Sequence, residues 1–188
     1  MKRLGAPASL VDYNSMKFVI IYMPDTICSK QYIKQLQQYN ARKIIKTCEC
    51  AYNFQMFYTF GISVDELIYP DGSFPLAEII DQWILIIKQH FQALPKTSLA
   101  VHCRTGLGRS AVLVAIALME SGMKPQDAID LIRVKRRGAF NSFQMEEIVK
   151  YKSKNRLVEK AKIFKRISLS RKFNNIDPDR ISRRETTI

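Results

Sequence analysis

Ser98-Leu99-Ala100-Val101-His102-Cys103-Arg104-Thr105-Gly106-Leu107-Gly108-Arg109-Ser110-Ala111-Val112-Leu113-Val114-Ala115 runs from an apolar stretch of strand type, through a short loop with two glycines, into an Ala/Leu/Val-rich stretch of helix type. A loop joining a buried strand to a helix N-terminus carries backbone N–H groups with no intrahelical partner. Together with the helix dipole they favour an anion of phosphate size. The same field acts on a thiol at its centre. An ordinary cysteine titrates at roughly 8.5 and falls to about 3.5–7.5 near helix termini and cations, so Cys103 reads as a thiolate nucleophile. The planar fork of Arg109 suits the equatorial oxygens of a transferring phosphoryl group, where lysine would be a poor substitute. Arg104, Thr105, Gly106, Leu107 and Gly108 form the phosphate cradle between them, with Gly106 and Gly108 expected at positive φ. His102 is expected just outside, orienting the loop or tuning the thiolate. A buried, inert cysteine beside a glycine-rich turn is the alternative, and the Cys-x5-Arg interval between strand and helix stands against it.

Outward from this loop, strands and helices alternate. Residues 17–23, 42–47, 62–67 and 98–102 read as strands, and residues 29–39 as a helix with Tyr32, Ile33 and Leu36 on one face. Residues 75–93 read as a long helix opened by Pro75, with Ile79, Ile80, Trp83, Ile86 and Ile87 along its apolar face. Three more follow: 109–121 closed by Gly122, 125–134 opened by Pro125, and one starting after a candidate cap at Asn141, which residues 150–167 would extend. The pattern predicts an α/β protein of three layers, a central, mostly parallel twisted sheet flanked by helices on both faces. In such sheets ligands sit at the strands' carboxyl ends.

The chain has 188 residues, 47% of them hydrophobic, which suits one catalytic domain over residues 1–157 followed by a basic extension over 158–188. Four cysteines without paired spacing, and two histidines, argue against a zinc site or a secreted disulfide framework. No metal or organic cofactor is implied, and Cys28 and Cys50 read as buried free thiols. The N-terminus lacks the apolar core of a signal peptide and no run approaches membrane-spanning length, so a cytoplasmic location is expected. Residues 150–188 hold thirteen Lys/Arg against four Asp/Glu, nine of the chain's thirteen net positive charges. Such a tail suits an anionic membrane surface, with nuclear import or plain solvation as competing readings; after Ser168 its composition is that of mobile chain. A second cluster, Lys135-Arg136-Arg137, is read as facing the active-site mouth or as a solvated helix end.

His102-Cys103 with Arg109-Ser110 resembles the protein tyrosine phosphatase superfamily signature. Val112 to Ala115, Glu120 to Lys124, Asp127-Ala128 and Lys135 to Ser142 extend the resemblance to the phosphatases of regenerating liver, small enzymes of dual-specificity type. Upstream, Ala6-Pro7, Tyr13, Met16, Phe18, Tyr39, Cys48-Glu49, Tyr52, Gly61-Ile62, Asp71-Gly72 and Trp83 fall at matching intervals, so the likeness spans about residues 6–157. It implies hydrolysis of phosphotyrosine or phosphoserine/threonine proteins through a phosphocysteine, with phosphoinositides as rival substrates. It also implies a general acid on a separate loop, and Asp71 stands where the family has it. The family's Trp-Pro-Phe-Asp-Asp-Gly is here Leu67-Ile68-Tyr69-Pro70-Asp71-Gly72; Asp71-Gly72 as a mere turn is the competing reading, with Asp65 or Glu66 as substitute acid.

Where the family usually carries alanine after the loop arginine this chain has Ser110, whose hydroxyl would assist departure of the thiolate. Cys48 matches a family cysteine able to pair reversibly with the nucleophile, blocking phosphate entry and protecting it from over-oxidation. The family's C-terminal prenylation box has no counterpart in Arg184-Glu185-Thr186-Thr187-Ile188, so no prenylation is expected on these residues. Slow turnover and docking to CNNM magnesium-transport proteins, whose CBS-pair domains cover the phosphatase pocket, are a further implication, and homo-oligomerisation stays open. RNA 5′-triphosphate hydrolysis fits the net charge but not the family pattern, so nucleic acid is not the expected partner.

Overall fold

The computed structural model describes residues 8–23, 30–49 and 55–158, and those through Leu157 belong to one compact unit. The element order is β1 (Ser9–Tyr13), β2 (Met16–Tyr22), α1 (Lys30–Gln38), β3 (Ala41–Lys46), α2 (Gln55–Tyr58), β4 (Ser63–Glu66), α3 (Ala77–Ala93), β5 (Ser98–Cys103), α4 (Arg109–Glu120), α5 (Pro125–Lys135) and α6 (Ser142–Lys150). Five strands form one sheet in the order β1-β2-β5-β3-β4. β1 pairs antiparallel with β2, and every other pairing is parallel. This is the mixed three-layer α/β/α arrangement expected from the alternation.

Both sheet faces are covered, so the inner strands are apolar at successive positions. On β2, Phe18 and Ile20 point into the cluster made with α3, α4, α5 and α6, while Val19 and Ile21 point into the opposite cluster with Tyr32, Ile33 and Leu36 of α1 and Phe57 of α2. On β5, Leu99 and Val101 face the first cluster and Ala100 the second. α4 lies under the sheet with all twelve residues buried, which explains a sequence that is apolar all round. The Trp83 indole of α3 donates to the Leu113 carbonyl of α4 at 2.7 Å.

Several expectations change. The strand β1 escaped the reading because only Val11 of its five residues is fully buried; it is an edge strand held by the Asn14-Ser15 turn, with Asn14 at φ 53°. α3 starts at Ala77 rather than Pro75, which precedes its N-cap. Helix α6 ends at Lys150 and does not continue through residue 157. The cause is Glu120, fully buried at the end of α4. A buried carboxylate needs donors, and it takes them from the Tyr151 hydroxyl, the amides of Lys154 (3.3 Å) and Arg156 (2.8 Å) and the Arg156 guanidinium (2.9 Å), while Arg156 also reaches Asp81. Residues 151–157 are thereby drawn across the end of α4 as a strap. The 158–188 extension, Cys28 and Cys50 lie outside the described residues, apart from Val158. No helix among the described residues is long and apolar enough to cross a membrane.

Candidate active site

β5 lies between β2 and β3 and ends at Cys103, so the thiol sits at the carboxyl end of a central strand, with α4 beginning six residues later. The loop between them is shaped from outside. Met23 N–H donates to the Arg104 carbonyl (3.3 Å), Arg136 donates to the carbonyls of Thr105 (Nη2, 3.1 Å) and Gly106 (Nε, 2.6 Å), and Phe140 N–H donates to the Leu107 carbonyl (3.0 Å). Four successive carbonyls are thus tied outward, which favours amides of the turn on the concave side, although the Leu107 amide donates to Thr105 Oγ1 at 3.3 Å. Gly106 N–H donates to Cys103 Sγ at 3.1 Å.

Gly106 has φ +72°, and a Cβ there would stand 2.5 Å from Arg136 Nη2 and 2.9 Å from the Ile21 carbonyl. Gly108 corrects the expectation of positive φ: its φ is −98°. It is glycine for space, since a Cβ would press on the Gln144 amide at 3.2 Å.

Cys103 is 1% exposed. Burial opposes ionisation of the thiol, but the hydrogen bonds from the Ser110 hydroxyl and amide, the Gly106 amide and the charge of Arg109 together outweigh it, so its pKa lies below the ordinary value. The Ser110 hydroxyl is 3.3 Å from Sγ. His102 is fully buried, and desolvation lowers its pKa to about 4, so the imidazole is neutral. It hydrogen-bonds the Cys103 backbone, while the His102 carbonyl accepts from Thr47 N (3.0 Å) and Oγ1 (2.9 Å). Its placement is that of a loop-orienting group and not of a titrating one.

Arg109 is likewise buried. Its Nη1 donates to the carbonyls of Thr47 and Tyr69, both at 3.3 Å, which fixes the rotation of the guanidinium. Nε lies 3.1 Å from Asp71 Oδ1, and its N–H has no in-line acceptor. Asp71, beside Nε, lines the cleft together with Arg109. That cleft, of about 490 Å³, is lined by Cys48, Glu49, Ile68, Tyr69, Pro70, Asp71, Arg104 and Arg109. Asp71 and Cys48 share it with Arg109, as the sequence suggested. The substitute acids do not: Asp65 pairs with Lys43 and Glu66 with Lys46, each at 2.6 Å along β3 and β4. The Cys48 side chain is buried. Among the described residues no group of three or more His, Cys, Asp or Glu converges on a possible metal position.

The Asp71 loop is pinned by side chains whose part in the site the sequence did not disclose. Asn141 Nδ2 donates to the Gly72 carbonyl (3.0 Å) and Gln144 Nε2 to that of Ser73 (3.1 Å). The same two residues make the capping box of α6, with Asn141 Oδ1 accepting from Gln144 N (2.7 Å) and Gln144 Oε1 from Asn141 N (3.2 Å). Asn141 was legible as a cap; its grip on Gly72 was not. The largest correction concerns Lys135-Arg136-Arg137. Arg136 is 3% exposed and grips the back of the cradle, so the cluster does not form a basic rim to the cleft. Charge runs usually mark solvated faces, and no sequence signal separates its central member from its exposed neighbours.

No family model matches the chain. It is 43% identical over 159 residues to the PRL-1 phosphatase of Drosophila melanogaster, covering 85% of this chain and 90% of the relative. It is 40% identical over 158 residues to the human protein tyrosine phosphatase type IVA 3, covering 84% and 91%. A solved structure of a protein tyrosine phosphatase from Leishmania major superposes with a TM-score of 0.67 at 34% identity, over 77% of this chain and 98% of that one. With the cradle, Arg109 and the Asp71 loop in place, these likenesses make the chain a member of the PRL family, the type IVA protein tyrosine phosphatases.

Proposed function

We propose that the chain hydrolyses phosphotyrosine and related protein phosphomonoesters in two steps at Cys103. The Cys103 thiolate attacks phosphorus in line, the bond from phosphorus to the substrate oxygen breaks, and Asp71 gives its proton to that oxygen. The product is a phosphocysteine. Water then attacks phosphorus while Asp71 takes its proton, the P–S bond breaks, and Ser110 hydrogen-bonds the departing thiolate. Arg109 and the inward amides hold the equatorial oxygens through both steps and need little reorganisation. The observation that carries this reading is the buried Cys103 sulfur beneath a turn whose four carbonyls are all held outward.

Rapid mixing with a chromogenic aryl phosphate tests it: a burst stoichiometric with Cys103, absent in Cys103→Ser, is the expected outcome. A thiol that alkylates with the pH profile of free cysteine and has no affinity for vanadate would sink it. A phosphorylated tyrosine fits the cleft better than a polyphosphorylated lipid head group. Besides Arg109, Arg104 is the one cation among the described residues of the lining, against Asp71 and Glu49.

A reversible Cys48–Cys103 disulfide belongs to the same reading and is supported by Cys48 lining the cleft. Peroxide would take two electrons and the pair's two thiol protons, leaving the bond and water. Peroxide-treated protein should regain activity with dithiothreitol, and Cys48→Ser should lose activity irreversibly under the same treatment. The basic tail is assigned to anionic membrane surfaces, and cosedimentation with phosphatidylserine vesicles should fall steeply as salt rises.

A further inference from the structure

Tyr69 touches both halves of the site. Its side chain is 5% exposed and packs in the cluster that contains Leu67 and Trp83. Its hydroxyl donates to the Arg109 carbonyl at 2.6 Å, and Arg109 Nη1 donates back to the Tyr69 carbonyl at 3.3 Å. A buried phenol without a partner would be costly, so the bond to Arg109 is what permits an oxygen at this place. The phenol stays a donor at every working pH. Burial first, then the nearby Cys103, holds its pKa well above the ordinary value, with Arg109 acting in the opposite direction.

One hydrogen bond leaves a hinge, whereas two running in opposite directions between the same residues fix both separation and rotation. This pair joins the first residue of α4, whose guanidinium faces the cleft, to the segment that carries the acid. Pro70 follows at once and its ring fixes φ, so few free dihedrals separate the latch from the Asp71 carboxyl.

We propose that the Tyr69 hydroxyl is a positioning group, latching the acid-bearing loop to Arg109 so that the Asp71 carboxyl is held at the leaving-group side of the cleft. The proposal rests on the phosphatase reading with Asp71 as acid. It makes the loop a fixed part of the site, with Asn141 and Gln144 holding its far end and Tyr69 its near end.

Tyr69→Phe removes one oxygen and keeps the ring. For a phosphotyrosine peptide, whose leaving oxygen needs a proton, kcat/KM should fall about tenfold, the value of one buried hydrogen bond. For an aryl phosphate with an acidic, electron-poor leaving group the fall should be about twofold or less. The ratio between the substrates is indifferent to how much of the variant is folded. In an Asp71→Asn background Tyr69→Phe should cost almost nothing on the peptide, because the group it positions is gone. Equal losses on both substrates, no loss on either, or an undiminished loss beside Asp71→Asn would overturn the latch. If the wild type itself gives no burst, the phosphatase reading fails and the latch with it; a wild-type burst with an unchanged Tyr69→Phe variant condemns the latch alone.

Discussion

Ser110 stands 3.3 Å from the Cys103 sulfur and also offers its amide, and both bonds favour the thiolate; in the proposed mechanism the same residue would serve again as the sulfur departs. Ser110→Ala should therefore raise the pKa of the thiol, read from the pH dependence of alkylation. It should leave a burst while slowing the steady-state rate by about tenfold, as expected for a lost bond to a charged group. Arg136 works from the other side of the same loop. Arg136→Met keeps the stem but strands the carbonyls of Thr105 and Gly106, and vanadate affinity should drop by about tenfold or more, with Arg136→Lys a poor rescue because one ammonium cannot copy the fork. Calorimetric titration with vanadate measures both. At this scale Cys103, Arg109 and Asp71 were legible as candidates, because the chemistry proposed for them depends on residue type and interval. The roles of Arg136, Tyr69 and Gln144 depend on contacts spanning 30 to 71 residues of sequence, which no local pattern encodes.

The capping box that starts α6 also holds the Asp71 loop, and the two duties can be separated. Asn141→Asp keeps the acceptor for Gln144 N and loses the donor to the Gly72 carbonyl. Thermal stability should stay close to wild type while turnover of a phosphotyrosine peptide falls. Asn141→Ala should do both, with a cost of about 1 kcal/mol, or roughly 2–4 °C in melting temperature for a chain of this size. Circular dichroism melts beside steady-state kinetics distinguish the two variants. Elements with a strong period or two apolar faces were readable: β2, β5, α3 and α4 all fall within a few residues of expectation. β1 was not, because an edge strand with one fully buried residue has no alternation to show, and neither was the four-residue α2. Composition at residues 151–157 is compatible with more helix, and the buried Glu120 decides otherwise.

Among the described residues, His90, His102 and Glu120 make stability fall on the acid side. His90 and His102 are both held neutral, with pKa values of about 4 in place of 6.5, chiefly by burial. A base whose folded pKa is depressed contributes stability that is complete above 6.5 and is lost progressively as pH falls through about 4. Glu120 acts at lower pH. Burial raises its pKa, but the bonds from Arg156, Tyr151 and Lys154 prevail and hold it at about 2 in place of 4.5, so its contribution, on the order of 3 kcal/mol, is complete above 4.5 and is lost toward 2. The melting temperature should decline as pH falls below 6.5 and steepen under 4.5. His90→Gln should flatten the first part and Glu120→Gln the second. The cradle, too, is a property of the whole chain. Its carbonyls are tied to Met23 beyond β2 and to Arg136 and Phe140 between α5 and α6, three residues all distant in sequence from the loop they hold. A fragment ending at residue 134 would still spell every letter of the stretch from Ser98 to Ala115, yet its sulfur should react with iodoacetamide as sluggishly as that of a short peptide. Alkylation kinetics of this single atom would then serve as a gauge of native assembly, registering any variant, denaturant or protease that loosens one of those three distant moorings.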